Sequence, residues 1–134
     1  MAVYGVGPGG VSTITPVPRH SYTKIGILEV ADGTTGVLEF KLPKYAVPIG
    51  VYTICTGANT TQTIEAGYTD GGDDLLTAFS PNSTGYATSG TATGTGVGVQ
   101  ITADTPVYLK ASAALTTPVI VKVEYYIPPQ GLTL

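Results

Sequence analysis

Four carboxylates, Glu65, Asp70, Asp73 and Asp74, fall within the stretch TIEAGYTDGGDDLLTA, residues 63–78. Such a group could chelate a cation, act as a general acid–base pair, or turn and cap the chain. A calcium loop of the form D-x-[DN]-x-[DN]-G-x5-E needs oxygen ligands at fixed spacing. Here Gly71 and Gly72 follow Asp70, and no Glu follows Asp74 before the apolar run, so that pattern is absent. A looser calcium site built from Asp70, Asp73 and backbone carbonyls stays open. The structural alternative is that Asp70-Gly71-Gly72 turns the chain out of a strand. Asp73 or Asp74 then caps a short helix, DDLLTAF, with Leu75, Leu76 and Phe79 pinning it to the core.

The remaining reactive residues lack partners. The single histidine, His20, lies in a proline-rich segment, and the single cysteine, Cys55, sits mid-strand as a small apolar residue. A Cys–His pair or a Ser-His-Asp triad would both depend on His20, and no G-x-S-x-G elbow occurs. Glu65 with Asp70 or Asp104 could form a glycosidase pair, but the chain has no Trp to stack on sugar. The spaced glycines of TGTGVGVQ precede a strand, not a helix, so they do not make a dinucleotide loop. Asn59-Thr60-Thr61 and Asn82-Ser83-Thr84 match the glycosylation pattern, as coincidences expected in a Thr-rich chain. The expectation is no catalytic residue and no cofactor, with calcium at Asp70 and Asp73 as the one metal alternative.

The elements that would position these residues are strands. Tyr22 to Ala31, a turn at Asp32-Gly33 and then TGVLEFKL predict a hairpin. In IGVYTICTG, Ile49, Val51, Thr53 and Cys55 alternate with Tyr52 and Ile54. Near the C-terminus Val119, Val121, Val123, Tyr125 and Ile127 share one face, with Lys122 and Glu124 on the other. That alternation fits an antiparallel sheet with one wet side. Seven or eight short strands with frequent turns and no crossover helix predict an all-β antiparallel sandwich. The segment 80–98 is Gly-, Ser- and Thr-rich, a long loop or a weak strand pair.

At 134 residues the chain is long enough for one domain. The expected division is an extended arm over residues 1–21, a sandwich over 22–127 and a tail over 128–134. The arm carries Pro8, Pro16 and Pro18, which exclude helix, yet also Val3, Tyr4, Val6, Val11, Ile14 and Val17. Disordered tails are poor in such residues, so the arm, with Arg19 at its end, is expected to bind a surface of this chain or a neighbour.

Charged residues make up only 11% of the chain, against roughly 25% in ordinary soluble domains. With nine Tyr, such a surface dehydrates cheaply and suits contact with other proteins. A net charge of −3, and no Lys or Arg between Tyr45 and Leu109, argue against nucleic acid. No apolar run is long enough to span a membrane. The opening MAVYGVGPGG lacks the features of a signal peptide, which predicts a protein kept in the cell or in a particle assembled there.

The stretch FKLPKYAVPIGVYTICTGANTTQTIEAGYTDGGDDLLTA resembles a pattern in small structural proteins of tailed bacteriophages. In those proteins an LP-x-x-A turn leads into a strand I-x-V-Y, a Thr-rich strand T-I-x-x-G and a D-x-x-x-L-L turn. The close, TPVYLKASAALTTPVIVKVEYY, is similar to that group's ending, so the resemblance spans roughly residues 35–126. It implies a jelly-roll-like sandwich that decorates or cements a capsid exterior, often as a homotrimer, with the major capsid protein as partner and no enzyme activity. It places the protein on the virion, assembled in the host cytoplasm. The alternative is a carbohydrate-binding sandwich of a phage fibre or tail, with Tyr52, Tyr68 or Tyr86 as sugar platforms.

Overall fold

A computed structural model describes residues 21–55, 57, 59, 61–81, 85–88 and 94–129. The arm residues Val3, Tyr4, Val6, Val11, Ile14, Val17 and Arg19, together with His20 and Asn82, lie outside them. Among the described residues there are eight strands: β1 (Tyr22–Leu28), β2 (Val37–Leu42), β3 (Val47–Cys55), β4 (Ile64–Gly67), β5 (Leu76–Phe79), β6 (Gly85–Thr88), β7 (Thr105–Ala111) and β8 (Val119–Tyr126). They form two four-stranded sheets, ordered β1-β8-β3-β6 and β2-β7-β4-β5, with every pairing antiparallel. The pairs β1–β8, β2–β7, β3–β6 and β4–β5 are those of one long hairpin rolled up on itself, which is the winding of a jelly roll. The predicted all-β sandwich of that type is therefore the observed fold.

Alternation builds the core. Val119, Val121, Val123 and Tyr125 of β8 are buried, and Ile120, Lys122, Glu124 and Tyr126 between them are not. Leu28, Val51 and the β8 valines meet Leu42, Ile64, Leu76, Val107 and Leu109 of the other sheet. Each fully buried aliphatic side chain contributes about 1.5–3 kcal/mol relative to exposure.

Three local expectations are corrected. Tyr22–Leu28 and Val37–Leu42 do not pair as a hairpin; β1 pairs with β8 and β2 with β7, in different sheets. A 3-10 turn at Val30–Asp32 carries the chain between sheets, closed by the Glu29 N–H donating to Asp32 Oδ2 at 2.7 Å. Gly33 supplies the positive φ of 59° that follows it. Second, the short helix expected at 73–79 is absent, and Leu76–Phe79 is strand β5. The Leu75 N–H donates to Ala66 O at 2.9 Å, and Leu75 and Leu76 are both fully buried. One helical turn costs more to nucleate than it returns, and a neighbouring strand supplies the same hydrogen bonds. Third, Ile49 leaves the face of Val51, Thr53 and Cys55 and is 48% exposed. The β3–β8 register shifts between Pro48 and Gly50, and Ile49 is the residue at that bulge.

Candidate interaction surfaces

The acidic stretch is the β4–β5 turn. The Gly72 N–H donates to Thr69 O at 2.9 Å, and Asp74 Oδ2 accepts the Tyr68 N–H at 2.9 Å. Asp74 thus closes the turn. The turn folds back over its own sheet: a Cβ on Gly67 would strike the Gly72 backbone, and one on Gly36 would strike the Asp70 carboxylate. Asp70 and Asp73 are exposed. Among the described residues no group of three or more His, Cys, Asp or Glu could hold a metal ion. Glu65 faces Lys110 across the β4–β7 ladder, and Asp104 Oδ1 accepts the Lys44 N–H at 2.9 Å in the β2–β3 turn. The candidate carboxylates therefore serve separate structural positions.

The other residues singled out by sequence are also placed. Cys55 is buried, and burial pushes its thiol up from the ordinary value. Asn59 is 0% exposed, and its Oδ1 accepts the Thr116 N–H at 2.7 Å and the Thr117 N–H at 3.1 Å. Its Nδ2 donates to Thr117 O at 3.3 Å, so the amide locks the β3–β4 loop to the β7–β8 loop and is closed to glycan transfer. Tyr68 packs against the core with its hydroxyl buried; burial first, and the Asp74 charge second, push it up to about 12. Tyr52 lies on the other sheet, so these two candidate sugar platforms do not converge. The Tyr86 side chain lies outside the description.

Two surfaces do gather residues. The first is a depression of about 230 Å³ lined by Lys24, Lys41, Leu42, Pro43, Asp104 and Tyr125. It lies at the corner between β1 and β2. Nearby, the Lys44 ammonium stands 4.9 Å from the Tyr45 ring centroid.

The second surface is the outer face of the β1-β8-β3-β6 sheet. Directly paired residues project on the same side. Register therefore aligns Ile27, Ile120 and Ile54 in one row across three strands, and Ile25, Lys122 and Tyr52 in the next. Ile25 is 59% and Ile27 44% exposed, while Ile120 and Ile54 are half-buried. A polar network bounds this apolar patch. The Tyr52 ring lies over Gly50, and its hydroxyl donates to Glu124 Oε1 at 3.0 Å. Ser21 Oγ donates to Glu124 Oε2 at 2.6 Å, and the Lys122 ammonium stands 5.1 Å from the Tyr52 ring centroid. The Ser21 and Tyr52 hydroxyls, in that order, hold the Glu124 carboxyl below its ordinary value against a small desolvation cost, with help from Lys122. Sequence reading missed the isoleucine patch because its members come from three strands distant in the chain.

The fold is a jelly roll whose β1-β8-β3-β6 sheet carries, on its outer face, an isoleucine patch beside Lys122 and Glu124. The chain is similar to one in the acid-stable capsid structure of Helicobacter pylori bacteriophage KHP30, at TM-score 0.56 and 16% identity, over 83% of this chain and 90% of that one. It is likewise similar to one in the capsid asymmetric unit of cyanophage Pam1, at TM-score 0.52 and 20% identity, over 92% of this chain and 98% of that one. At these identities the shared property is the fold. No family model and no curated protein matches the chain.

Proposed function

We propose that this chain is a non-enzymatic structural protein of a bacteriophage virion. It binds the capsid exterior and stabilises the shell through contacts with the major capsid protein and with further copies of itself, as a homotrimer. The observation that carries this reading is the match of an entire jelly roll to chains that occur in two phage capsids, over nearly the full length of each.

The surface chemistry supports it. Scarce charge lowers the cost of dehydrating a contact. Sheet edges are managed so that contact does not become uncontrolled strand pairing: Glu39 Oε1 accepts the Ile27 N–H of edge strand β1 at 2.8 Å. Many copies on a shell turn weak individual contacts into a strong total. The arm residues Val3, Tyr4, Val6, Val11, Ile14, Val17 and Arg19 are the candidate partner-binding positions.

The test is the copy number of this chain in purified virions, relative to the major capsid protein. A ratio near one, or a simple fraction of it, is expected. A few copies per particle would indicate a tail or fibre part, and absence from the particle would end the proposal. Removal of residues 1–20 is expected to weaken capsid attachment and leave the sandwich folded, read by co-sedimentation and circular dichroism.

A further inference from the structure

The outer isoleucine patch and the chain preceding β1 belong together. The patch is apolar and sits on one sheet, whereas the opposite sheet carries its own β4–β5 turn across its outer face, at Gly67 and Gly36. Ser21, where the described chain begins, is hydrogen-bonded to Glu124 on the patch's own face. Residues 1–18 contain no charged side chain, and Val3, Tyr4, Val6, Val11, Ile14 and Val17 supply apolar groups of a kind that fits such a face.

Direction decides whose patch is filled. β1 runs from Tyr22 towards Ile25 and Ile27, so its N-terminal end, at Ser21, is the end farther from the patch of its own sheet. Thr15-Pro16-Val17-Pro18 favours extended backbone at each residue and opposes a tight reversal just before the strand. Fifteen extended residues reach roughly 45 Å at about 3.1 Å per residue, about twice the length of one strand of this sheet.

We infer that the Ile25, Ile27, Ile54 and Ile120 patch is the seat for residues 3–17 of a second copy of this chain. Each copy gives its arm to one neighbour and receives an arm from another. Such a head-to-tail contact closes into a ring when the rotation between copies divides a full turn. This deepens the proposed function by naming the contact between copies, and it rests on that reading for the homo-oligomer alone.

The experiment is sedimentation equilibrium of the full chain at concentrations up to about 1 mM, the scale of tethered contacts. It is repeated with residues 1–18 removed, and with Ile25→Asp/Ile27→Asp, whose positions are exposed and spare the core. The full chain is expected to be a closed oligomer. Both variants are expected to weaken association at least tenfold, with no further loss when combined, and circular dichroism should show the sandwich intact in each. An oligomer that survives Ile25→Asp/Ile27→Asp overturns the inference. So does a monomeric full chain, whether its own arm covers the patch or the patch faces another protein. Capsid co-sedimentation is scored separately. A chain that forms the ring but ignores capsids keeps this inference and ends the functional reading.

Discussion

At the residue scale, Asn59 shows how far a motif can mislead. Asn-Thr-Thr reads as a glycan acceptor, yet the side chain is fully buried and holds Thr116 and Thr117 in place. Three residues of sequence do not reveal burial, because the partners lie 57 and 58 positions away. Asn59→Ala would leave two part-buried backbone N–H groups without their acceptor, and is expected to cost about 1–3 kcal/mol in denaturant unfolding. Thr53 predicts the opposite sign. Its Oγ1 is buried and has no hydrogen-bond partner among the described residues. Thr53→Val keeps the shape and removes the desolvation cost, so it is expected to raise stability by about 1 kcal/mol in the same assay. Glu124 predicts a pH dependence. Its carboxyl lies below its ordinary value, so the stabilisation is present above that value and is lost as pH falls through the lowered one. Glu124→Gln should therefore differ from the parent protein at neutral pH and converge with it in acid, read from melting temperature between about pH 7 and pH 3.

At the element scale, alternation made most strands legible, β8 above all. What stayed hidden was which strand pairs with which. The Asp32-Gly33 dipeptide announces a turn but does not say whether the chain returns to the same sheet. Here β1 finds its partner about a hundred residues later, at β8 (Tyr22 opposite Tyr125). DDLLTAF likewise has helix-compatible residues, and only the presence of β4 beside it makes Leu76–Phe79 a strand. The acidic positions Asp70 and Asp73 were legible as a turn, but Asp74's use in closing it was not. The isoleucine patch could not be read at all, since it exists only once β1, β8 and β3 are aligned. Edge protection is also an element-level device. Glu39 of β2 reaches the Ile27 N–H of β1, and its Cβ lies where a side chain on Gly26 would go, 2.8 Å from that position. Glu39→Ala is expected to cost about 1 kcal/mol and to lower the concentration at which light scattering detects aggregation. Unchanged scattering would mean that the edge is protected by other means.

At the scale of the whole molecule, the jelly roll and the thinly charged surface jointly determine how the protein can associate. The rolled hairpin leaves β1, β6, β2 and β5 as edge strands, with β1 guarded by Glu39, and association can also use side chains on the sheet faces. The exposed large apolar residues include Tyr22, Ile25, Ile27, Leu38 and Ile49. Two of the six cations, Lys24 and Lys41, share their corner with Asp104. Association that depends on such surfaces draws on apolar burial, which salt does not screen, whereas exposed charge pairs weaken as the Debye length shrinks from about 10 Å at 0.1 M to about 3 Å at 1 M. Under the proposed function, capsid binding is therefore expected to change less than about threefold across that range, measured by co-sedimentation. A tenfold or greater loss would shift the contact to the Lys24 and Lys41 corner and to an acidic partner surface. Charge reversal at Lys24 and Lys41 would then abolish binding.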